Sequence, residues 1–216
     1  MIDVHPAHHA AGTWREFFIH IATIVLGLLI AIGLEQTVEY FHHRHQLHVA
    51  RRAIRDELTH DQAAIEYDIA MLRIAEQSMQ KNASLLQSAR RPNDSPTSVL
   101  EYPWQLHFLR DDAWQDAKSS GAAAFMSPAE RARLGYIYSG VVDRERTFAI
   151  SYLTGTNIAK SIAQRAATLN GLTPQDRDQL LKLTSDTEGQ VVSLRMLLEI
   201  ADEVLKSYFD ETPQDK

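Results

Sequence analysis

The densest run of possible metal ligands lies between Glu39 and His48, where Glu39, His42, His43, His45 and His48 fall within ten residues. Imidazole and carboxylate together suit zinc, copper, nickel or iron. On a helix, Glu39, His42 and His45 stand at i, i+3 and i+6 and drift around the surface. A pair can share an ion, but a closed site needs further ligands, which a second chain can supply. The competing reading is a solvated, weakly cationic collar that meets lipid headgroups. That collar is the favoured reading, and no bound metal is expected. Glu39, His42, His45 and His48 remain the metal candidates. His5, His8 and His9 belong to an N-terminal tail, residues 1–13, expected to be flexible.

Two other patterns invite chemistry. Glu39-x-x-His42 and Glu57-x-x-His60 each match the Glu-x-x-His element of di-iron bundles. Eighteen residues of one helix place them about 27 Å apart, so they cannot flank one metal pair within one chain. Asp111, Asp112 and Asp116, near His107, form the densest carboxylate group. Paired acids can do acid–base work, yet such a run more often marks a helix start, where the dipole favours negative charge. No Gly-x-Ser-x-Gly, P-loop, His-Glu-x-x-His or dinucleotide glycine motif is present. Cysteine is absent, which removes disulfides, thiolate metal sites and Cys nucleophiles. The expectation is a protein that is not an enzyme and holds no cofactor. The 216 residues carry a net charge of −6, and no basic stripe suggests a nucleic-acid partner.

The elements that would position these residues begin with Phe17–Leu34, 18 residues without a charge. As a helix the run is about 27 Å long, and about 31 Å with Trp14 included, against a hydrocarbon core of ~30 Å. Trp14 stands where an interfacial aromatic belongs, next to Arg15 and Glu16, and Glu35 closes the far end. The reading is a transmembrane helix over residues 14–35. A cleaved signal peptide, with Ala31-Ile32-Gly33 as its cleavage site, and a buried core helix are the alternatives. The first 14 residues hold no Lys or Arg, and few soluble helices are apolar on every face for five turns. Arg15 is the single Lys/Arg before the span, whereas Arg44, Arg51 and Arg52 follow it, which leans toward a cytoplasmic C-terminal body. Thr23, Gly27 and Ala31 form a small-residue ridge along which two spans can approach. His20 reads as a neutral residue near the headgroups.

From Leu34 to Arg91 there is no Gly and no Pro. Ile54, Leu58, Ile65, Ile69, Leu72, Met79, Ala83 and Leu86 recur at steps of 3, 4 and 7, one face of a helix, with Asp61 a flaw in the stripe. One long amphipathic helix is expected over 36–91, then a loop over 92–103 marked by Pro92. A helical domain over 104–210 and a polar tail over 211–216 complete the chain. Within that domain, Trp104–Asp111 and Ala113–Ser120 read as short helices, with Asp112 as a cap and Gly121 as a stop. Ser127-Pro128-Ala129-Glu130 reads as a capping box opening a helix to about Leu169, with Asn170-Gly171 as its end. Thr173-Pro174-Gln175-Asp176 opens the last helix, whose stripe is Leu180, Leu183, Val191, Leu194, Leu198, Ala201 and Leu205. The fold class expected is all-α. A transmembrane helix runs into a long helix, and an antiparallel hairpin completes a three- to four-helix bundle. Trp104, Phe108, Trp114, Tyr136 and Tyr138 are expected to pack it.

Val25-Leu26-Gly27-Leu28-Leu29-Ile30-Ala31, followed by Gly33-Leu34-Glu35-Gln36, resembles the "GxLIALxxEQ" span of a group of uncharacterised bacterial proteins with one N-terminal transmembrane helix. Their "LRxEL" stretch is matched by Ala53-Ile54-Arg55-Asp56-Glu57-Leu58, and their Trp-x-x-Ala-x-x-x-Gly segment by Trp114, Ala117 and Gly121. A tyrosine in their next helix is matched by Tyr136 or Tyr138. The resemblance implies a membrane-anchored helical protein and brings no activity, cofactor or catalytic residue. The functional expectation is a single-pass interaction or scaffold protein of the bacterial inner membrane. Its partners would be the bilayer, further copies of itself and a protein not yet identified. The alternative is a membrane-anchored sensor or signalling accessory whose bundle binds a small ligand or partner.

Overall fold

The computed structural model describes residues 14–88, 95–103 and 105–211. The His-containing tail, Pro92 and its neighbours, Trp104 and the last five residues, for which the sequence raised expectations, lie outside the described residues. The chain divides into two compact units, Met1–Val49 and Ala50–Lys216.

Helix α1 is Trp14–Ser88 and contributes to both units. In the first unit, the apolar stretch of α1 is exposed around its whole circumference, from Phe17 and Phe18 to Ile32 and Leu34. It is long and apolar enough to cross a membrane, and none of it is buried against protein.

The second unit is a helical bundle. Its other helices are α2 (Asp112–Ser119), α3 (Pro128–Ile137), α4 (Asp143–Ala163) and α5 (Pro174–Glu211). A π-helical turn, Tyr138–Val142, joins α3 to α4. Among the described residues the only extended pairing is an isolated bridge between Pro96 and Thr168. Helix α5 runs antiparallel to α4, because Gln190 bonds Ser151 while Thr187 lies against Gly155. It is antiparallel to α1 as well, since Glu188 meets Gln80, Arg195 meets Glu76 and Glu199 meets Arg73.

Each long helix buries a seam. On α1 the residues Leu58, Ile65, Leu72, Met79 and Leu86 repeat every seven positions and are almost fully buried. A core of this kind is the main source of stability, each buried Leu or Ile being worth roughly 1.5–3 kcal/mol. The α5 stripe is likewise buried at Leu180, Val191, Leu194, Leu198, Ala201 and Leu205. Far along the bundle, Met79 and Leu86 share a core with Ala159, Ile162 and Leu180.

Several sequence expectations are corrected. Residues 105–111 are not helical, because four amides between 107 and 113 bond to side chains of other helices rather than to the carbonyl one turn back. The cap of α2 is Asp111 rather than Asp112, and its side chain makes no capping bond. The carboxylate of Asp111 instead accepts from Gln115 and Arg146. Helix α4 stops at Ala163, not Leu169. There the Thr97 hydroxyl and amide take the carbonyls of Ala166 and Ala167, and the Leu169 amide donates to Ser95. Ser127 caps α3 by accepting from the Glu130 amide at 3.1 Å. The Glu130 carboxylate grips Arg51 through two bonds of 2.8 and 2.6 Å. Phe108 and Tyr136 are exposed rather than packed, at 45% and 57%.

Candidate functional site

The seam of α1 has a second column. Ile54, Asp61, Asp68, Ala75 and Asn82 also recur every seven residues, interleaved with the apolar column, and all are buried. A heptad rises about 10.5 Å along a helix, and three extended residues cover about 10 Å. An extended chain laid along this column can therefore meet it once per heptad, at every third residue.

The segment 101–113 does so, running antiparallel to α1. Asn82 binds both backbone groups of Glu101, donating to its carbonyl at 2.7 Å and accepting from its amide at 2.9 Å. Asp68 accepts the His107 amide at 2.8 Å, and its other oxygen lies 2.9 Å from the His107 Nδ1. Asp61 accepts the Arg110 amide at 3.0 Å, with the Arg110 guanidinium 3.6 Å from its other oxygen. Glu57 accepts the Ala113 amide at 2.9 Å.

Helix α4 supplies a fifth contact, Glu145, which accepts the Leu109 amide at 3.4 Å. The Tyr152 hydroxyl donates to the Pro103 carbonyl. Between 105 and 111, only Leu109 buries its side chain, while Gln105, His107, Phe108 and Arg110 are exposed. The strap is thus held by backbone bonds to acidic side chains more than by packing.

Glu57 does a second job. Its other oxygen accepts from the buried Tyr138 hydroxyl at 2.7 Å, and the Tyr138 ring stacks on Trp114 at 5.7 Å with 5° between planes. Ala117, one turn after Trp114 on α2, is also buried, and Gly121 follows the helix at φ 79°, a left-handed conformation that suits glycine. Glu57, Trp114 and Tyr138, three positions that carry the resemblance, thus belong to one connected arrangement.

Burial dominates the electrostatics. It pushes Asp61 up to about 6, against the pull of the Arg110 amide and guanidinium. Glu145 is pushed up to about 7, chiefly by burial, then by the nearness of Asp68 and Asp61. Asp68 is raised by burial, partly offset by His107. Burial, and then the bond to Glu57, raises the Tyr138 phenol. Carboxyl groups that titrate near neutrality can serve acid–base catalysis. Here their oxygens are occupied by main-chain amides, and the cavity beside Asp61 and Leu109 is about 10 Å³, room for a single water. The arrangement binds a backbone and leaves no space for a substrate.

The earlier candidates fall elsewhere. His42 pairs with Gln46 at 3.0 Å, and His43 lies 3.9 Å from Glu39. Among the described residues no three His, Asp or Glu side chains are grouped closely enough to hold a metal ion. Glu39, His42, His45 and His48 are therefore not brought together within the chain. Asp111 is held low by its bonds to Gln115 and Arg146. Asp68, Asn82 and Glu145 were missed as site residues, and Asp61 was read as a defect. For Asp61, Asp68 and Asn82 the common signal was the spacing of seven from 61 to 68 and of fourteen from 68 to 82, and Glu145 on α4 carried none.

No protein-family model, curated protein or solved structure matches the chain.

Proposed function

We propose that the chain is a single-pass, membrane-anchored helical interaction protein, a scaffold of the bacterial inner membrane that associates with further copies of itself. The observation that carries this reading is the exposure of Phe17–Leu34 on every face. Eighteen uncharged and mostly apolar residues turned outward are costly in water and stable in a bilayer, where a helix satisfies its own backbone. A core helix of a soluble protein would bury that surface, so its exposure supports the membrane reading. The lean toward a cytoplasmic body rests on Arg44, Arg51 and Arg52.

An interaction role is favoured over a small-ligand sensor by the packed interior. Ligand pockets commonly enclose about 300–1,000 Å³, and the cavity beside Asp61 is about 10 Å³. The larger hollows, one beside Ala83 and Leu181 and one beside Ile69 and Glu203, are open surface grooves.

Membrane fractionation of the untagged chain tests the proposal. The chain should stay in the pellet through alkaline carbonate and high salt, and its intact mass should include Met1 or begin at residue 2. Release by carbonate, or a mature chain starting after Gly33, would overturn it. Crosslinking in native membranes tests self-association: a ladder of homo-oligomers is expected, and a purely monomeric pattern counts against it.

A further inference from the structure

Closing of residues 105–113 on α1 has a chemical consequence apart from holding the bundle together. Adjacent amides, Leu109 and Arg110, lead to Glu145 on α4 and Asp61 on α1. Two carboxyls from two helices are thereby buried under neighbouring strap residues, each about 2% exposed, with Asp68 a third, and both Asp68 and Asp61 are near enough to raise Glu145. The charged groups facing this place are few. Arg110 from the strap reaches Asp61 at 3.6 Å, and His107 from the strap reaches Asp68. Arg146 on α4 is paired with Asp111. Glu57, one turn before Asp61, adds a further negative group, and Tyr138 lies beyond it. Helix α5 closes the space with Ala201, Val204 and Leu205, none of them charged. Arg110, the nearest counter-charge, is itself largely exposed.

We propose that the strap is a proton-linked latch, lying closed on α1 while Asp61 and Glu145 hold protons and lifting as they ionise. A protonated carboxyl still accepts an amide through its carbonyl oxygen, so closure keeps its hydrogen bonds. An ionised pair in the same space repels, and opening returns both groups to water. The direction follows from linkage: the closed state holds Asp61 up to about 6 and Glu145 up to about 7, so closing takes up protons and rising pH favours opening. The latch does not depend on the membrane reading, because every group in it belongs to the second unit.

Amide hydrogen exchange on the full chain in detergent micelles, read by mass spectrometry between pH 5.5 and 8 and corrected for intrinsic rates, tests this. Protection of peptides within 105–113 should fall by roughly tenfold or more relative to α5 core peptides. Constant relative protection would overturn the latch. In the Asp61→Asn, Glu145→Gln double variant the pH dependence should shrink several-fold, Asp68 being the buried carboxyl left under the strap, while protection persists at pH 8, and an undiminished slope would overturn it equally. Tyr152→Phe removes the bond to Pro103 and no group that titrates in this range, so it should lower protection by the same factor at every pH. A Tyr152→Phe variant that lost the slope would assign it to general loosening instead. Should the double variant lose protection in α5 as well, the wild-type slope and Glu145→Gln alone decide, the latter with a slope reduced by about half or more.

Discussion

Tyr138 and Glu57, 81 positions apart, meet in the bundle interior through a 2.7 Å hydrogen bond from the phenol to the carboxylate. The other oxygen of the same carboxylate takes the amide that opens α2, so one side chain of α1 fixes the π-helical turn and the end of the strap together. Trp114, packed flat on the Tyr138 ring, closes the arrangement.

Truncating Glu57 to Ala leaves a buried phenol and an amide without an acceptor. The expected loss is about 2–5 kcal/mol, against about 1–3 kcal/mol for Tyr138→Phe, which leaves Glu57 with the Ala113 amide. Chemical denaturation in micelles compares the two. Equal losses, or no loss for Glu57→Ala, would contradict the shared role.

The pH dependence of global stability has a definite sign. Asp61 and Glu145 rise from ordinary values of 3.8 and 4.5 to about 6 and about 7. Their contribution is full below those ordinary values and is lost as pH climbs through 6 and 7. Asp111 and Glu199 are lowered by hydrogen bonds, to Gln115 and Arg195 respectively, and act oppositely, their contribution lost in stronger acid. The melting temperature should therefore peak at about pH 5 and decline toward pH 8. A flat or rising alkaline limb in a thermal scan would contradict this.

Gly155 sits where a Cβ would lie 2.8 Å from the Thr187 hydroxyl oxygen. Thr187 is buried, so it has little room to yield. Gly155→Ala should destabilise by about 1–3 kcal/mol, although alanine favours helix by about 1 kcal/mol. Adding Thr187→Ala should recover part of the loss, and a double-mutant cycle with no coupling would show that the close approach does not matter.

Gly121, at φ 79°, predicts a cost of about 1–2 kcal/mol for Gly121→Ala. Gly121→Asn should cost less, since asparagine tolerates that region. No atom lies within 4 Å of a Cβ there, so crowding does not confuse the comparison. Thermal melts of the two variants give the order.

The absence of cysteine makes topology measurable with single substitutions. Gln175 is exposed at the start of α5. In intact cells Gln175→Cys should resist an impermeant maleimide and react after permeabilisation, while a cysteine placed in the first ten residues should react without it. The reverse pattern would place the body on the outer side.

Most of the fold was legible because long helices announce themselves by periodicity. The seam of α1 could be read at Ile54, Leu58, Ile65, Leu72, Met79 and Leu86, and that of α5 from Leu180 to Leu205. Local capping chemistry was equally visible at Ser127 and Thr173, whose hydroxyls accept the amides of Glu130 and Asp176. The strap was not. Residues 105–111 have ordinary helical composition, and what holds them extended lies 36 to 56 positions away in Asp68, Asp61, Glu57 and Glu145. Asp61 looked like a flaw because a hydrophobic pattern has no place for an acid. Its meaning appears only beside Asp68 and Asn82, as a column whose partner is main chain and leaves no side-chain pattern to find. The end of α4 was missed for the same reason, the carbonyls of Ala166 and Ala167 just beyond it being claimed by Thr97.

The turn at Tyr138–Val142 holds more residues than an α-helical turn does. Removing one residue there would permit regular winding with little change of phase, because a turn closed by i→i+5 bonds takes about one residue more than an α-helical turn. The helices on either side would keep nearly their present angular setting. The surplus residue is absorbed in the one turn that begins at Tyr138, so the chain tolerates a length difference there that a regular helix would pass on as rotation.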